Sequence, residues 1–511
     1  MKTPKESPLS SSRMPVPSRW VLSATILGSS MTFIDATVVN VALPALQADL
    51  HATITDVQWV IEAYALFLGA LILVGGSMGD QFGRKRVFLL GVVFFTLAST
   101  LCGLATSPGT LIMGRALQGI GAAFLVPGSL AIISATFDDR ERGRAIGTWS
   151  GFSAITSAIG PVTGGWLVEH VSWRAVFFLN VPLAVIVLLV SLRFMTESRD
   201  PSRTARTDWS GAALAVLGLG GVVFGLLEWP PLGPGHPLVL GALAIGVVSL
   251  ALLFVVERRA ENPMVPLALF RSRTFTLSNT LTLLLYAALS MVLFLVPLNL
   301  IQVQHYSATA AGAALLPFSL IMFALSRWSG GLVARTGGRL PLTVGPAIAA
   351  LGLALYARPG IGGSYWMTFF PAVVVLGFGM AVTVAPLTTT VMGAVDPRHA
   401  GVASGVNNAV ARVAGLVAIA VFGVMLARTF EAQVRPRLES LALPQSAGTD
   451  LERELPKMAG ADVSRLSSVP PAQRSQVRAI IDEGFVFAFR LVMIGAAGLA
   501  LGAAAAGRAI H

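Results

Sequence analysis

Fourteen apolar runs, each long enough to cross a bilayer, divide this chain, and no other feature restricts its fold as tightly. They lie at approximately 20–44, 57–79, 87–106, 109–135, 144–168, 174–194, 210–229, 237–257, 275–301, 310–334, 341–358, 366–393, 403–427 and 485–508. A helix rises about 1.5 Å per residue, so about 20 apolar residues span the hydrocarbon core. No water reaches that core, and backbone amides there must bond within their own segment, as a helix does. Charged residues are 12% of the 511, against 54% hydrophobic, whereas soluble domains are about one-quarter charged. The sequence therefore predicts an all-α, polytopic membrane protein. The turn between the seventh and eighth runs is 230-PPLGPGHP-237.

The net charge of +11 does not indicate nucleic acid, because the basic residues form no single face. They sit in short clusters between apolar runs, such as 84-RKR-86 and 258-RR-259. Of 36 Lys and Arg, 22 fall on the side that carries the N-terminus and two in the short loops opposite. The positive-inside rule then predicts cytoplasmic N and C termini. Segment 428–484 holds eight basic and eight acidic residues and does not vote. The first run has no small-residue cleavage site and is expected to stay as the first spanning helix. The lone cysteine, Cys102, allows no intrachain disulfide.

Two internal echoes give the organisation. The segment 76-GSMGDQFGRK-85 returns as 330-GGLVARTGGR-339, and 138-DDRERGRAIG-147 returns as 396-DPRHAGVASG-405. The offsets are nearly equal, which predicts a duplicated six-helix unit. Domains are expected at 1–194 and 275–511. Two inserted helices with their flanks occupy 195–274, and 428–484 forms a long extracytoplasmic loop, partly helical and capping the outer face.

The polar residues inside these runs are few. Asp35 interrupts the first span in 33-FIDATVVNVALP-44, a little past mid-membrane, where a carboxylate costs several kcal/mol and usually has a function. A fixed structural pair with an arginine is the competing explanation, with Arg412 the candidate partner. Arg115, Gln118 and Gly119 in 112-IMGRALQGIGAA-123 share one helix face. Arg115 is either functional or snorkels to the outer interface. Glu62 is a second candidate carboxylate. Asn40, Asn407, Asn408 and Arg412 are expected to line a substrate path or to join helices by hydrogen bonds. Gly143, Gly147 and Gly151, then Gly160 and Gly164, recur at four-residue steps that permit close helix contact, and Pro161 favours a bend.

The loop GSMGDQFGRKR resembles the signature loop of the major facilitator superfamily. The resemblance implies that Gly76, Asp80, Gly83, Arg84 and Lys85 gate the conformational change, with Asp80 pairing to a neighbouring helix end. Gln81 departs from the usual basic residue, and the second copy has Ala334 at the Asp position. The fifth run, with Gly147 and the string Gly160, Pro161, Gly164, Gly165, resembles the antiporter motif of that superfamily, although Thr156 replaces a glycine. The strings 35-DATVVNVALP-44, 173-WRAVFFLNVP-182 and 257-ERRAENPMVPLALFRSRTF-275 are similar to signatures of the fourteen-helix drug:proton antiporters.

The implied fold is two six-helix bundles plus two inserted helices. The implied function is export of lipophilic, cationic drugs or antibiotics across the plasma membrane in exchange for protons. Asp35, Glu62 and Arg115 would be the coupling residues. The proton gradient would drive transport with no cofactor, and a monomer is expected. Alternatives are a proton-coupled exporter of a neutral or anionic metabolite, or a nutrient symporter. No G-x-x-x-x-G-K-[ST] or H-E-x-x-H occurs, and the one G-x-S-x-G, 75-GGSMG-79, closes an apolar run without the strand–turn–helix setting of a hydrolase, so no ATPase, metalloenzyme or serine-hydrolase signature supports an enzyme.

Overall fold

The computed structural model describes residues 16–137, 139–199, 208–259, 267–395, 400–441 and 443–510. The side-chain surroundings of Gly143, Gly147, Gly151, Arg327 and Ala334 also lie outside that description, as does the basic tail before residue 16. Among the described residues the regular structure is entirely helical. The first bundle comprises α1 (Val16–Asp49), α2 (Ile54–Phe82), α3 (Arg84–Gly103), α4 (Pro108–Thr136), α5 (Asp139–His170) and α6 (Asn180–Phe194). The inserted pair is α7 (Trp209–Leu227) and α8 (Pro237–Arg259). The second bundle comprises α9 (Arg273–Leu298), α10 in two pieces (Ala308–Ala314 and Leu316–Gly330), α11 (Arg339–Tyr356), α12 (Tyr365–Gly393), α13 (Ala400–Glu439) and α14 (Pro471–Arg508).

Thirteen of these are long and apolar enough to cross a membrane. The remaining one, α5, has 32 residues and packs along α1. Its Gly, Ser and Thr content suits contact with helices more than with lipid. Local chemistry sets the helix starts. Thr53 and Asp56 form a reciprocal capping box at α2, Ser107 with Pro108 opens α4, and Ser272 opens α9. The sequence repeat is also a packing repeat: α1–α5, α2–α4 and α3–α4 recur as α9–α13, α10–α12 and α11–α12. The inserted α7 packs on α8 and also on α2 and α13, one helix from each bundle.

Segment 428–484 contains helices, as its partly helical reading expected, and helix covers most of it. Helix α13 continues to Glu439, α14 begins at Pro471, and a helix at Gln445–Glu454 lies between them. Its alternating charges are helical pairs, as in Arg435–Glu431 at 3.1 Å and Arg478–Asp482 at 2.8 Å. The turn near 230–237 is a single helical turn, Trp229–Leu232, ended by Gly233 at φ +90°.

Candidate functional site

The buried charge of the first bundle is one connected cluster. Arg115 of α4 donates Nη1 to Asp35 Oδ2 of α1 at 2.5 Å, and Gln118 Nε2 donates to Asp35 Oδ1 at 2.7 Å. Arg115 Nη1 also reaches Gln118 Oε1 at 2.7 Å, and its Nε reaches the Val60 carbonyl of α2 at 3.0 Å. The guanidinium lies 4.2 Å from the Tyr64 ring centroid, a cation–π contact. Asp35 is 1% exposed, Arg115 2% and Gln118 0%. A buried pair is tolerable when its lone pairs and protons find partners; here both Asp35 oxygens accept a bond, and Arg115 donates through Nε and Nη1.

Glycine makes the geometry possible. A Cβ on Gly119 would stand 2.5 Å from the Tyr64 carbonyl, so only glycine lets α4 approach α2 this closely. Two expectations are corrected here. The arginine held by Asp35 is Arg115, not Arg412, which lies on α13 against Gly69 of α2. Arg115 does not snorkel to the interface, because an aspartate, an amide, a carbonyl and an aromatic face hold it inside.

The other polar candidates separate. Glu62 is fully buried and away from the cluster, and neither carboxylate oxygen has a hydrogen-bond partner. Asn407 bridges α13 to α9 through Asn279 Oδ1 at 3.1 Å and Thr282 Oγ1 at 2.6 Å. Asn40 donates to Ala36 of its own helix at 3.1 Å. Asn408 is exposed and Arg412 half-buried on the same stripe of α13.

In the signature loop, Arg84 Nε and Nη2 donate to Asp80 Oδ1 at 3.0 and 2.9 Å. Lys85 Nζ caps the last carbonyls of α6, reaching Met195 at 2.6 Å. Glu197, which no sequence motif marks, accepts from the Lys85 and Arg86 amides at 3.1 and 3.2 Å. It places a carboxylate on the N-terminus of α3. Gly83 turns there at φ +111°, and a Cβ on it would meet the Glu197 carboxyl at 2.6 Å. Gly76 packs against Pro127 of α4.

The G-P-x-x-G-G string joins helices on both sides. Gly160 and Gly164 face Thr37 and Val38 of α1. Gly165 faces the Ala308 carbonyl of α10, and Gly312 of α10 faces the Pro161 carbonyl, so the motif sits between the bundles. Glu169 Oε2 accepts from the Thr309 amide at 3.3 Å. On the same side, far from the termini, Gln302 donates to Gln47 at 2.7 Å and Gln47 donates to the Lys457 carbonyl at 3.2 Å. These contacts seal the bundles together on the far side. Gln47, Gln302 and Tyr64 were not singled out from sequence, because each acts through a partner distant in the chain. Among the described residues no cluster could hold a metal ion.

A family model described as Major Facilitator Superfamily matches residues 25–419. The multidrug resistance protein Stp of Mycobacterium tuberculosis (strain CDC 1551 / Oshkosh) is 33% identical, over 93% of this chain and 88% of its own. The tetracenomycin C resistance and export protein of Streptomyces glaucescens is 33% identical, over 95% and 90%. The puromycin resistance protein pur8 of Streptomyces alboniger is 36% identical, over 80% and 81%. Among solved structures, a bacterial homolog of the human lysosomal transporter Spinster, inward-facing and unoccupied, superposes with a TM-score of 0.67 at 18% identity. That match covers 97% of this chain and 98% of the other.

Proposed function

The chain belongs to the major facilitator superfamily, and from its buried Asp35–Arg115–Gln118 cluster we propose that it exports lipophilic small molecules in exchange for protons. It is a multi-pass transporter of the plasma membrane and not an enzyme. Relatives named for resistance to antibiotics support export as the direction.

The cluster carries the proposal. With Asp35 ionised, the pair with Arg115 is neutral and both carboxylate oxygens accept a hydrogen bond. A proton on Asp35 removes the charge that holds Arg115 and frees Arg115 to seek other partners. A proton and a substrate that compete for one such cluster are exchanged across the membrane. With cytoplasmic termini, the far-side seal makes this conformation inward-facing, the state that would release protons and load substrate. The fold match to an inward-facing structure is consistent with that assignment.

A cation is the expected substrate class, with Asp35 as its counter-charge. One observation favours a second reading: Arg115 already neutralises Asp35, and Arg412 lies half-buried on α13 with no acid among the described residues. That arrangement suits a neutral or anionic substrate. Efflux of ethidium and of a carboxylate-bearing dye from cells expressing the protein, with and without a protonophore, tests both. Protonophore-sensitive efflux of either supports proton-driven export. Efflux of both that persists after the gradient collapses contradicts it.

A further inference from the structure

Near the outer end of α5, Pro161, Gly165 and Glu169 recur at four-residue steps, so they lie on one stripe, and that stripe faces α10. The first two meet α10 without a side chain between the backbones. The Pro161 carbonyl lies against Gly312, and Gly165 lies against Ala308 and Thr309. Glu169 adds a charge at the end of this contact, where its Oε2 accepts from the Thr309 amide at 3.3 Å.

The first amides of a helix have no partner within it. In α10, Ser307 Oγ accepts from the Ala310 amide at 3.2 Å, and the Ala311 amide makes the first bond along the helix, to the Ser307 carbonyl at 2.9 Å. The Thr309 amide is left over, and the acceptor it finds belongs to the opposite bundle. The cap of α10 is therefore completed across the seam. His170, beside Glu169, is turned away from it. Its ring stacks on Trp166 at 5.1 Å, and its Nδ1 lies 3.1 Å from the Trp166 carbonyl. Glu169 is exposed, so water can take over both ends of its bond when the bundles part. Such a contact breaks readily, unlike the enclosed Asp35–Arg115 pair.

We infer that Glu169 is a latch on the far side of the transporter, a positioning residue that biases the two bundles toward the conformation described above. Its bond exists only while α5 and α10 meet at their outer ends, so it stabilises one state of the cycle and not the other. Rocking that opens the far side breaks the bond and gives the amide and the carboxylate to water. The latch goes beyond the proton-exchange reading and needs no substrate. Only the naming of this state as inward-facing rests on the cytoplasmic placement of the termini.

Spin-label distances in the full chain in lipid, without substrate or gradient, test it. One label pair spans the far side, Leu104→Cys with Ile361→Cys. A second spans the side of the termini, Leu192→Cys with Leu340→Cys. All four positions are exposed, whereas the native Cys102 is fully buried and stays unlabelled. The expected result is a far-side-open population about three-fold larger in Glu169→Gln and in Glu169→Ala than in the wild type. The second pair should gain its closed distance to match, and the unfolding midpoint should not move. Gln keeps the length and an acceptor oxygen, so its effect isolates the charge. Wild-type distances in either variant overturn the latch. A far-side change without its counterpart in the second pair, or with a lowered unfolding midpoint, marks a local structural contact and overturns it as well. If the populations shift as expected while wild-type efflux ignores the gradient, the latch stands and the antiport reading fails.

Discussion

Arg115 and Asp35 meet at 2.5 Å across 80 residues of sequence, one from α4 and one from α1, in a site that is nearly inaccessible to solvent. Gln118, one turn beyond Arg115, binds the second aspartate oxygen and the same guanidinium. The mid-membrane acid is therefore half of a neutral, hydrogen-bonded unit, and its protonation alters three side chains together.

Removing one partner should leave the other charge stranded. Asp35→Asn is expected to lower stability by about 3–5 kcal/mol, and Asp35→Asn/Arg115→Gln to recover most of that loss without restoring transport. Thermal unfolding of the detergent-solubilised variants measures it. A double variant as unstable as the sum of the singles contradicts the pairing.

The far-side seal at α5 and α10 leaves no room for a side chain. A Cβ on Gly165 would lie 2.4 Å from the Ala308 carbonyl. Gly165→Val is expected to reduce transport at least ten-fold at normal expression. Labelling of Thr309→Cys by an impermeant maleimide from the far side should accelerate in the same background. Wild-type transport by Gly165→Val would show that this contact does not belong to the cycle.

Gln47 links α1, the turn after α9 and the cap that follows α13. Gln47→Ala should destabilise the protein by only about 1 kcal/mol, yet speed tryptic cleavage at Arg453 or Lys457 several-fold. Unchanged cleavage would mean that the cap is held by its own packing.

Glu197 stabilises the N-terminus of α3 by accepting two amides beside Gly83. Glu197→Ala is expected to cost about 1 kcal/mol. Gly83→Ala should cost more, because φ is +111° there and the new methyl meets the Glu197 carboxyl. Unfolding midpoints of the two variants decide the order.

Much of this fold is legible in the sequence because lipid imposes a simple rule: a run of apolar residues is a helix and the rest connects. The echo of 76–85 at 330–339 likewise has its counterpart in repeated helix pairs. The segment 428–484 reads as a partly helical connection, and the extent of its helices is not legible because charge pairs that hydropathy does not register set where they end. In the site, Arg115 and Gln118 declare themselves by sharing a face, and Asp35 by its depth. Their union does not, because pairing across helices depends on rotation and tilt. Arg412 was the plausible partner from depth, and Gly119 decided otherwise by drawing α4 onto α2. Glu169 shows the same limit, since its partner Thr309 stands 140 residues away.

The most direct test of the central claim is proton movement in inverted membrane vesicles carrying the wild type or Asp35→Asn. An internal pH dye reports it after ethidium is added to the medium. Wild-type vesicles are predicted to lose internal protons as ethidium enters, and Asp35→Asn vesicles, with equal amounts of folded protein, to show no such change. Equal proton loss in both would contradict Asp35 as the exchanging carboxylate.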